Sequence, residues 1–480
     1  MSGGHSVKDK LKFFFWSAFS GLLLALSFPK FDLFWIAWVA LVPFFWSLRQ
    51  VRGFRNAVLC GFAFGLVFFG FDLFWVNSLS RFVGVWAVLG WGALVLFQTL
   101  FTVLFALVVN PLDKSRGYKV ALLPLDKSRG YKGYPLIAAL LWVLVEWLRA
   151  WGPFGVTGGD VGYSQAAFLP LIQIAALTSV YGISFLVIFF NAALVELLFY
   201  KKKLPLIFSL LLILVAVGYG FWVLHSSVSG SPLVRLALIQ PNIDQKEKIA
   251  PKKVFETYKI LEELTRQAAR AKPKIIIWPE TAVFSYLLYD PVLYPRVKQL
   301  AFDTQAWLLV GTPHYERGRI YNSVVAISPS SEVVSRYDKE HLVPFGEYLP
   351  FRPLLYPFLK YVGYYDQEFS SNPQPLLIEV EGVKFGIVIC FESTFPDLIR
   401  KRVKQGADLI LTVTNDAWFG DSSAPYFHLN TGIFRAIENR KYFVQVANTG
   451  ISAVIDPYGR ILEKTMLNQQ KILVFEIPLP

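Results

Sequence analysis

The chain has 480 residues, a formal charge of +13 and a mean hydropathy of +0.45, with 54% hydrophobic and 17% charged residues; that is too apolar for an ordinary soluble protein. Two cysteines and five scattered histidines exclude a disulfide framework, a Cys/His zinc cluster and an iron–sulfur centre, all of which need several ligands at close spacing. Lysines and arginines stand between apolar runs instead of gathering on one soluble face, so the charge speaks for membrane topology and against nucleic-acid binding.

In chain order, residues 1–225 read as a transmembrane helical domain. Apolar runs at 11–28, 33–48, 57–76, 83–109, 135–148, 180–200 and 204–224 approach the roughly 20 residues that a helical span requires. This predicts about seven spans, the fifth short. Residues 166–178 are expected to lie at the interface rather than form an eighth pass, because glycine-rich and polar residues flank them. Alternate loops hold Lys8, Lys10, Lys12; Arg49, Arg52, Arg55; Lys114, Arg116, Lys119, Lys127, Arg129, Lys132; and Lys201, Lys202, Lys203. The opposite loops hold only Lys30, Arg81 and Arg149, which puts the N-terminus in the cytoplasm and the second half outside. The first span is too long, and its flank too poor in a cleavage site, for a removable signal peptide. The nonapeptide PLDKSRGYK occurs at 111–119 and again at 124–132 and reads as an incidental duplication. Gly61 and Gly65 are expected to pack helices; Glu146 and Arg149 to pair one helical turn apart; Cys60 to be a small buried hydrophobe.

After a linker at 226–232, residues 233–480 alternate strand-like and helix-like patterns. Strands are expected at 234–239, 275–278, 307–310, 321–327, 386–390, 409–414 and 444–447, with helices reaching about 271 and 305, as in an α/β domain. Three segments, IIIWPET, YDKEHLVPFGEYLP and GIVICFEST, put a polar or reactive residue at a strand end, where such sheets keep their active sites. Glu280 leaves a buried strand and reads either as a general base or as a helix cap. A lone cysteine is usually a buried hydrophobe, but Cys390 joins Glu280 and Lys339 at neighbouring strand ends. A carboxylate base, an ammonium for the oxyanion and a thiol nucleophile together suffice for acyl transfer.

WPET, YDKEHLVPFGEY and ICFES resemble, in chain order, the Glu–Lys–Cys triad of the nitrilase superfamily. With EWLRAW at 146–151, GYSQ at 162–165, TNDAWFG at 414–420 and RAIENRKYFVQVANTG at 435–450, nearly the whole chain resembles its membrane branch, the bacterial apolipoprotein N-acyltransferases. The resemblance implies a polytopic helical membrane bundle joined to a nitrilase-like four-layer α-β-β-α sandwich. It implies transfer of an acyl chain from a phospholipid to the α-amino group of a diacylglyceryl-modified apolipoprotein, at the periplasmic side of the bacterial inner membrane and without metal or organic cofactor. Carried over, Cys390 is the nucleophile, Glu280 the base, Lys339 the oxyanion stabiliser and Glu347 a second carboxylate orienting Lys339 or the thiol. Glu392 supports the loop behind the nucleophile or caps the helix starting near Phe395.

The family commonly has tyrosine after the nucleophile and tryptophan near position 249, where this chain has Phe391 and Ile249. A further span often ends the family's chains, whereas this sequence stops after ILVFEI. The aromatic, leucine-rich stretch 343–364 is expected to be an arm leaning on the bilayer, because Pro344, Pro350, Pro353 and Pro357 oppose a regular buried element while aromatics suit the interface. Phe345, Tyr348 and Trp418 are candidate lid or substrate contacts, Trp418 equally a core residue. His341 and His428 are expected to be structural. A membrane-tethered amidase acting on small amides is the alternative enzyme; a transporter or scaffold would need broken helices and polar pairs that the spans lack.

Overall fold

In the computed structural model the described residues are 7–51, 53–110, 125–126, 130–131, 133–152, 154–225, 233–362, 367–374 and 376–478. The chain divides into two compact units, Met1–His225 and Ser226–Pro480. The linker 226–232 lies outside the described residues, as does the duplicated nonapeptide except at 125–126 and 130–131.

The first unit is helical: α1 (Val7–Ala25), α2 (Val42–Gln50), α3 (Phe54–Asp72), α4 (Val85–Val109), α5 (Tyr134–Arg149), α6 (Ala175–Tyr200) and α7 (Leu204–Leu224). Among the described residues α3, α4, α6 and α7 are long and apolar enough to cross a membrane, and Leu11–Ala25 is a shorter apolar helix. The run at 33–48 is not one helix. It breaks into a 3-10 turn at Phe34–Ile36, a helical turn at Ala37–Ala40, and α2, where Pro43 in the first turn has no N–H to continue a preceding helix. Residues 166–178 likewise form no continuous helix: Leu169–Ile172 is a single turn and Ser179, at φ 55°, kinks α6.

Small residues let α3 and α4 touch. A Cβ on Gly61 would stand 2.7 Å from the Thr102 carbonyl oxygen, and the Thr102 hydroxyl donates to Gly61 O at 2.9 Å, a close approach suited to membrane helices. The expected Glu146–Arg149 pair gives way to a different arrangement. Arg149 donates to the Gly158 carbonyl and lies 3.3 Å from the Asp160 carboxylate, while Glu146 accepts from Trp142 Nε1 and the Val161 amide, both at 2.8 Å. The buried loop after α5 supplies groups that must be satisfied, and both side chains hydrogen-bond to it.

The second unit contains two six-stranded sheets. The first is built from β1 (Leu233–Gln240), β2 (Ile275–Ile277), β3 (Trp307–Glu316), β4 (Arg319–Ile327) and β5 (Val333–Asp338); the second from β6 (Ile378–Val380), β7 (Val383–Ile389), β8 (Leu409–Thr414), β9 (Tyr442–Ala447), β10 (Ala453–Ile455) and β11 (Ile461–Lys464). A last strand, β12 (Lys471–Pro478), returns to the first sheet, giving the orders β12–β1–β2–β3–β4–β5 and β11–β10–β9–β8–β7–β6. Strands β1, β2 and β3 are parallel, as are β7, β8 and β9; the flanking strands are antiparallel.

Alternation along the strands makes the layers. Val234, Leu236 and Leu238 of β1 meet Ile387, Ile389, Leu411 and Val444 between the sheets. Ala237 and Ile239 point the other way, to Tyr258 and Leu261 of α8 (Val254–Ala269) and Val297 and Leu300 of α9 (Leu293–Thr304). Each fully buried Leu or Ile stabilises by about 1.5–3 kcal/mol. On the far side, α11 (Pro396–Lys404) packs on β7 and α12 (Ala424–Asn439) on β9, completing a four-layer α-β-β-α sandwich. Before α11 in sequence, the aromatic stretch from 343 contains α10 (Arg352–Leu359), a short helix with no buried residue. Pro353 occupies its first turn, where a missing N–H costs nothing, while Pro357 lies inside the helix, which stays short and on the surface.

Candidate active site

The ends of β2, β5 and β7 bring the reactive residues together. β2 is an all-buried isoleucine strand, and the chain leaves it through Trp278, whose indole donates to Thr265 Oγ1 at 2.9 Å. It then passes under β3 so closely that a Cβ on Gly311 would stand 2.1 Å from the Pro279 carbonyl oxygen. This clamp, with the left-handed turn at Thr281 (φ 42°), aims Glu280 into a pocket where it is 8% exposed. Its Oε1 accepts from Asn322 Nδ2 at 2.8 Å and lies 3.9 Å from Lys339 Nζ.

Lys339 follows β5 directly. Its amide donates to the Asn322 carbonyl at 2.9 Å and its buried Nζ donates to Glu347 Oε1 at 2.9 Å. Burial opposes the ammonium, but Glu347, Glu280 and Cys390 favour it and hold its pKa above the ordinary lysine range. Glu347 also accepts from Asn322 Nδ2 at 3.0 Å and from the Val343 amide at 2.8 Å. Phe345 and Tyr348 frame it: the Phe345 amide donates to the Tyr348 carbonyl at 2.7 Å, with Phe345 exposed and Tyr348 half-buried.

Cys390 ends β7 in the left-handed region, φ 54°, an unfavourable conformation for a side chain with a Cβ. It opens a 3-10 turn, Cys390–Thr394. Burial pushes the thiol well above its usual range, and Glu280 and Asp416 push the same way; Lys339 and a hydrogen bond from Thr414 work against them.

Glu392 is fully buried and accepts four hydrogen bonds, from the Glu340 and His341 amides at 2.7 and 2.8 Å, the Ile389 amide at 2.6 Å and the Tyr337 hydroxyl at 2.8 Å. It thus ties the Lys339 loop to the Cys390 turn and does not cap the helix after Phe395. Phe391 stands edge-on to Phe395, centroids 4.9 Å apart. Trp418 is half-buried at the end of a 3-10 turn, Asp416–Trp418.

The structure therefore gathers Glu280, Lys339, Glu347 and Cys390 around one point, with Glu392 behind them. It adds two residues that the sequence reading passed over. Asn322 shares one amide nitrogen between two carboxylates, a role its place in the apolar strand YNSVV only hints at. Lys248, fully buried, donates to the Glu280 carbonyl at 2.8 Å; burial lowers its pKa to about 7, against the pull of Glu280 and Cys390. Nothing in the charged run QKEK distinguishes it from a solvated lysine.

Residues 235–480 match the carbon-nitrogen hydrolase family model, and residues 20–193 match that of the apolipoprotein N-acyltransferase N-terminal domain. The apolipoprotein N-acyltransferase of Geobacter metallireducens is 36% identical over 96% of this chain and 88% of its own length. That of Rickettsia typhi is 30% identical over 98% and 92% respectively. Among solved structures, Saccharomyces cerevisiae Nit3, a member of branch 10 of the nitrilase superfamily, aligns over 53% of this chain and 93% of its own at 18% identity and a TM-score of 0.41. With both halves matched and relatives aligned almost end to end, the chain belongs to the apolipoprotein N-acyltransferase family.

Proposed function

We propose that this protein moves an acyl chain from a membrane phospholipid, through a Cys390 thioester, to the α-amino group of the diacylglyceryl-cysteine that begins an apolipoprotein. The observation that carries the mechanism is the Glu280–Lys339–Glu347 network, drawn together by Asn322 and set at the same strand ends as Cys390. In the first half-reaction Glu280 takes the thiol proton as sulfur attacks the ester carbonyl, and Lys339 stabilises the oxyanion. Glu280 then hands that proton to the departing glycerol oxygen, and lysophospholipid leaves. In the second, the neutral amine attacks the thioester, Glu280 accepts a proton from nitrogen, and the same proton returns to the thiolate. An α-amino group of pKa near 8 supplies enough neutral amine at pH 7. One cysteine visited in turn by two substrates gives ping-pong kinetics.

Lipid reaches the site along the surface arm, where Phe351, Leu354, Phe358 and Tyr361 are all more than 60% exposed, a cost in water that a bilayer interface removes. The lysine and arginine pattern of the first unit supports an inner-membrane orientation with the N-terminus cytoplasmic and the second unit periplasmic.

Intact-protein mass spectrometry after incubation with phospholipid tests the reading. An acyl-sized gain that hydroxylamine removes, and that Cys390→Ala lacks, is the expected result. Folded protein that gains no acyl mass but hydrolyses small amides would replace this function with the amidase alternative.

A further inference from the structure

A second polar chain reaches Cys390 from the side of β8 and α12, and the reaction above does not use it. β7 and β8 run parallel with Ile389 opposite Val413, and β8 packs on the turn that Cys390 opens, which puts Thr414 close enough for its hydroxyl to favour the thiolate. The same hydroxyl lies 3.2 Å from Asp416 Oδ1, and that oxygen lies 2.8 Å from His428 Nδ1 on α12. Asp416 is fully buried and cannot swing away, because Gly450 packs so closely that a Cβ there would stand 2.1 Å from Asp416 Oδ2. Thr414 has one proton and two acceptors, the carboxylate and the sulfur.

We propose that His428 and Asp416 form a charge-compensating pair that sets the readiness of Cys390. When His428 is protonated it satisfies and neutralises Asp416, and the Thr414 hydroxyl is free to donate its hydrogen bond to the thiolate. When His428 is neutral, Asp416 retains Thr414 and its charge opposes the thiolate. Burial opposes the imidazolium, but Asp416 after β8 and Glu280 after β2 outweigh that and the repulsion of Lys339 after β5, so the pKa lies above that of free histidine. The Cys390 turn itself packs against α12. His428 is thus a positioning residue, acting through Asp416 and Thr414.

The inference rests on Cys390 as nucleophile, and its test reads the thiol independently of acyl transfer. Iodoacetamide alkylation of Cys390 in the full-length, detergent-solubilised protein would be followed by peptide mass from pH 5.5 to 9.5. His428→Gln should react about tenfold more slowly than wild type at the acid end, the change that one unit of thiol acidity gives, and the two should converge at the alkaline end, where His428 of the wild type has lost its charge. Asp416→Asn should react faster than wild type at the alkaline end, and it carries the test alone if His428→Gln does not fold. A His428→Gln to wild-type ratio constant with pH, or an Asp416→Asn variant no faster than wild type, would overturn the proposal. Absence of the acyl adduct with this alkylation pattern intact would sink the acyltransferase mechanism and leave the pair standing.

Discussion

Lys248 makes the sharpest demand at the scale of single residues. A lysine whose pKa falls from 10.5 to about 7 on folding binds fewer protons in the native than in the unfolded chain between those values. Its burial therefore costs stability in full below pH 7, and the cost fades as pH rises toward 10.5. Lys248→Met should raise the melting temperature at pH 6 by an amount corresponding to a few kcal/mol, with the gain shrinking toward pH 10. The same variant should lose activity, because the Glu280 carbonyl loses its donor. Melting curves and turnover at several pH values check both; a gain independent of pH would refute the assignment. Glu280, Lys339, Glu347, Cys390 and Glu392 were legible in the sequence because each follows a strand or sits in a motif. Lys248 and Asn322 were not, because their importance comes from what the fold lays beside them.

Among elements, legibility followed burial. β1, β2, β3, β8 and β9 are buried almost throughout, and an apolar stretch within each made its place readable, although β3 runs on through Gly311–Glu316, beyond the expected 307–310. The short β6, β10 and β11 carry little pattern of their own; pairing with a neighbour defines them. At 33–48 the apolar run hid its own breaks, because Pro43 interrupts the helix without interrupting the hydropathy; at 343–364 the prolines spoke against a buried element, and α10 indeed has no buried residue. The β2–β3 crossing, invisible in sequence, yields a prediction. Gly311→Ala would drive a Cβ to within 2.1 Å of the Pro279 oxygen, and backbone has no soft way to yield. The variant should lose about 1–3 kcal/mol of stability and far more than a proportionate share of kcat, since Glu280 is the next residue. Chemical denaturation beside acyl-transfer rates separates the two; full activity in a folded variant would show that Glu280 tolerates displacement.

For the molecule as a whole, the two units obey different rules of reading. In the first, hydropathy located helices well and their interruptions poorly, because a broken helix and a continuous one bury the same apolar residues. The orientation proposed from loop charge is open to site-directed labelling. In a chain lacking Cys60 and Cys390, a cysteine replacing exposed Arg270 should react with a membrane-impermeant maleimide in spheroplasts, and one replacing exposed Lys203 only after permeabilisation. The reverse pattern would invert the topology. The second unit has a further property set by its chain path. β12 pairs with β1 along its whole length, from Lys471 opposite Gln240 to Pro478 opposite Leu233, so the first strand made is completed by the last. During synthesis one edge of β1 stays open until nearly 240 residues more have appeared, and such distant closure is slow. The first sheet is therefore completed only once the last residues of the chain have been made, and a truncated chain would leave the edge of β1 open to other strands.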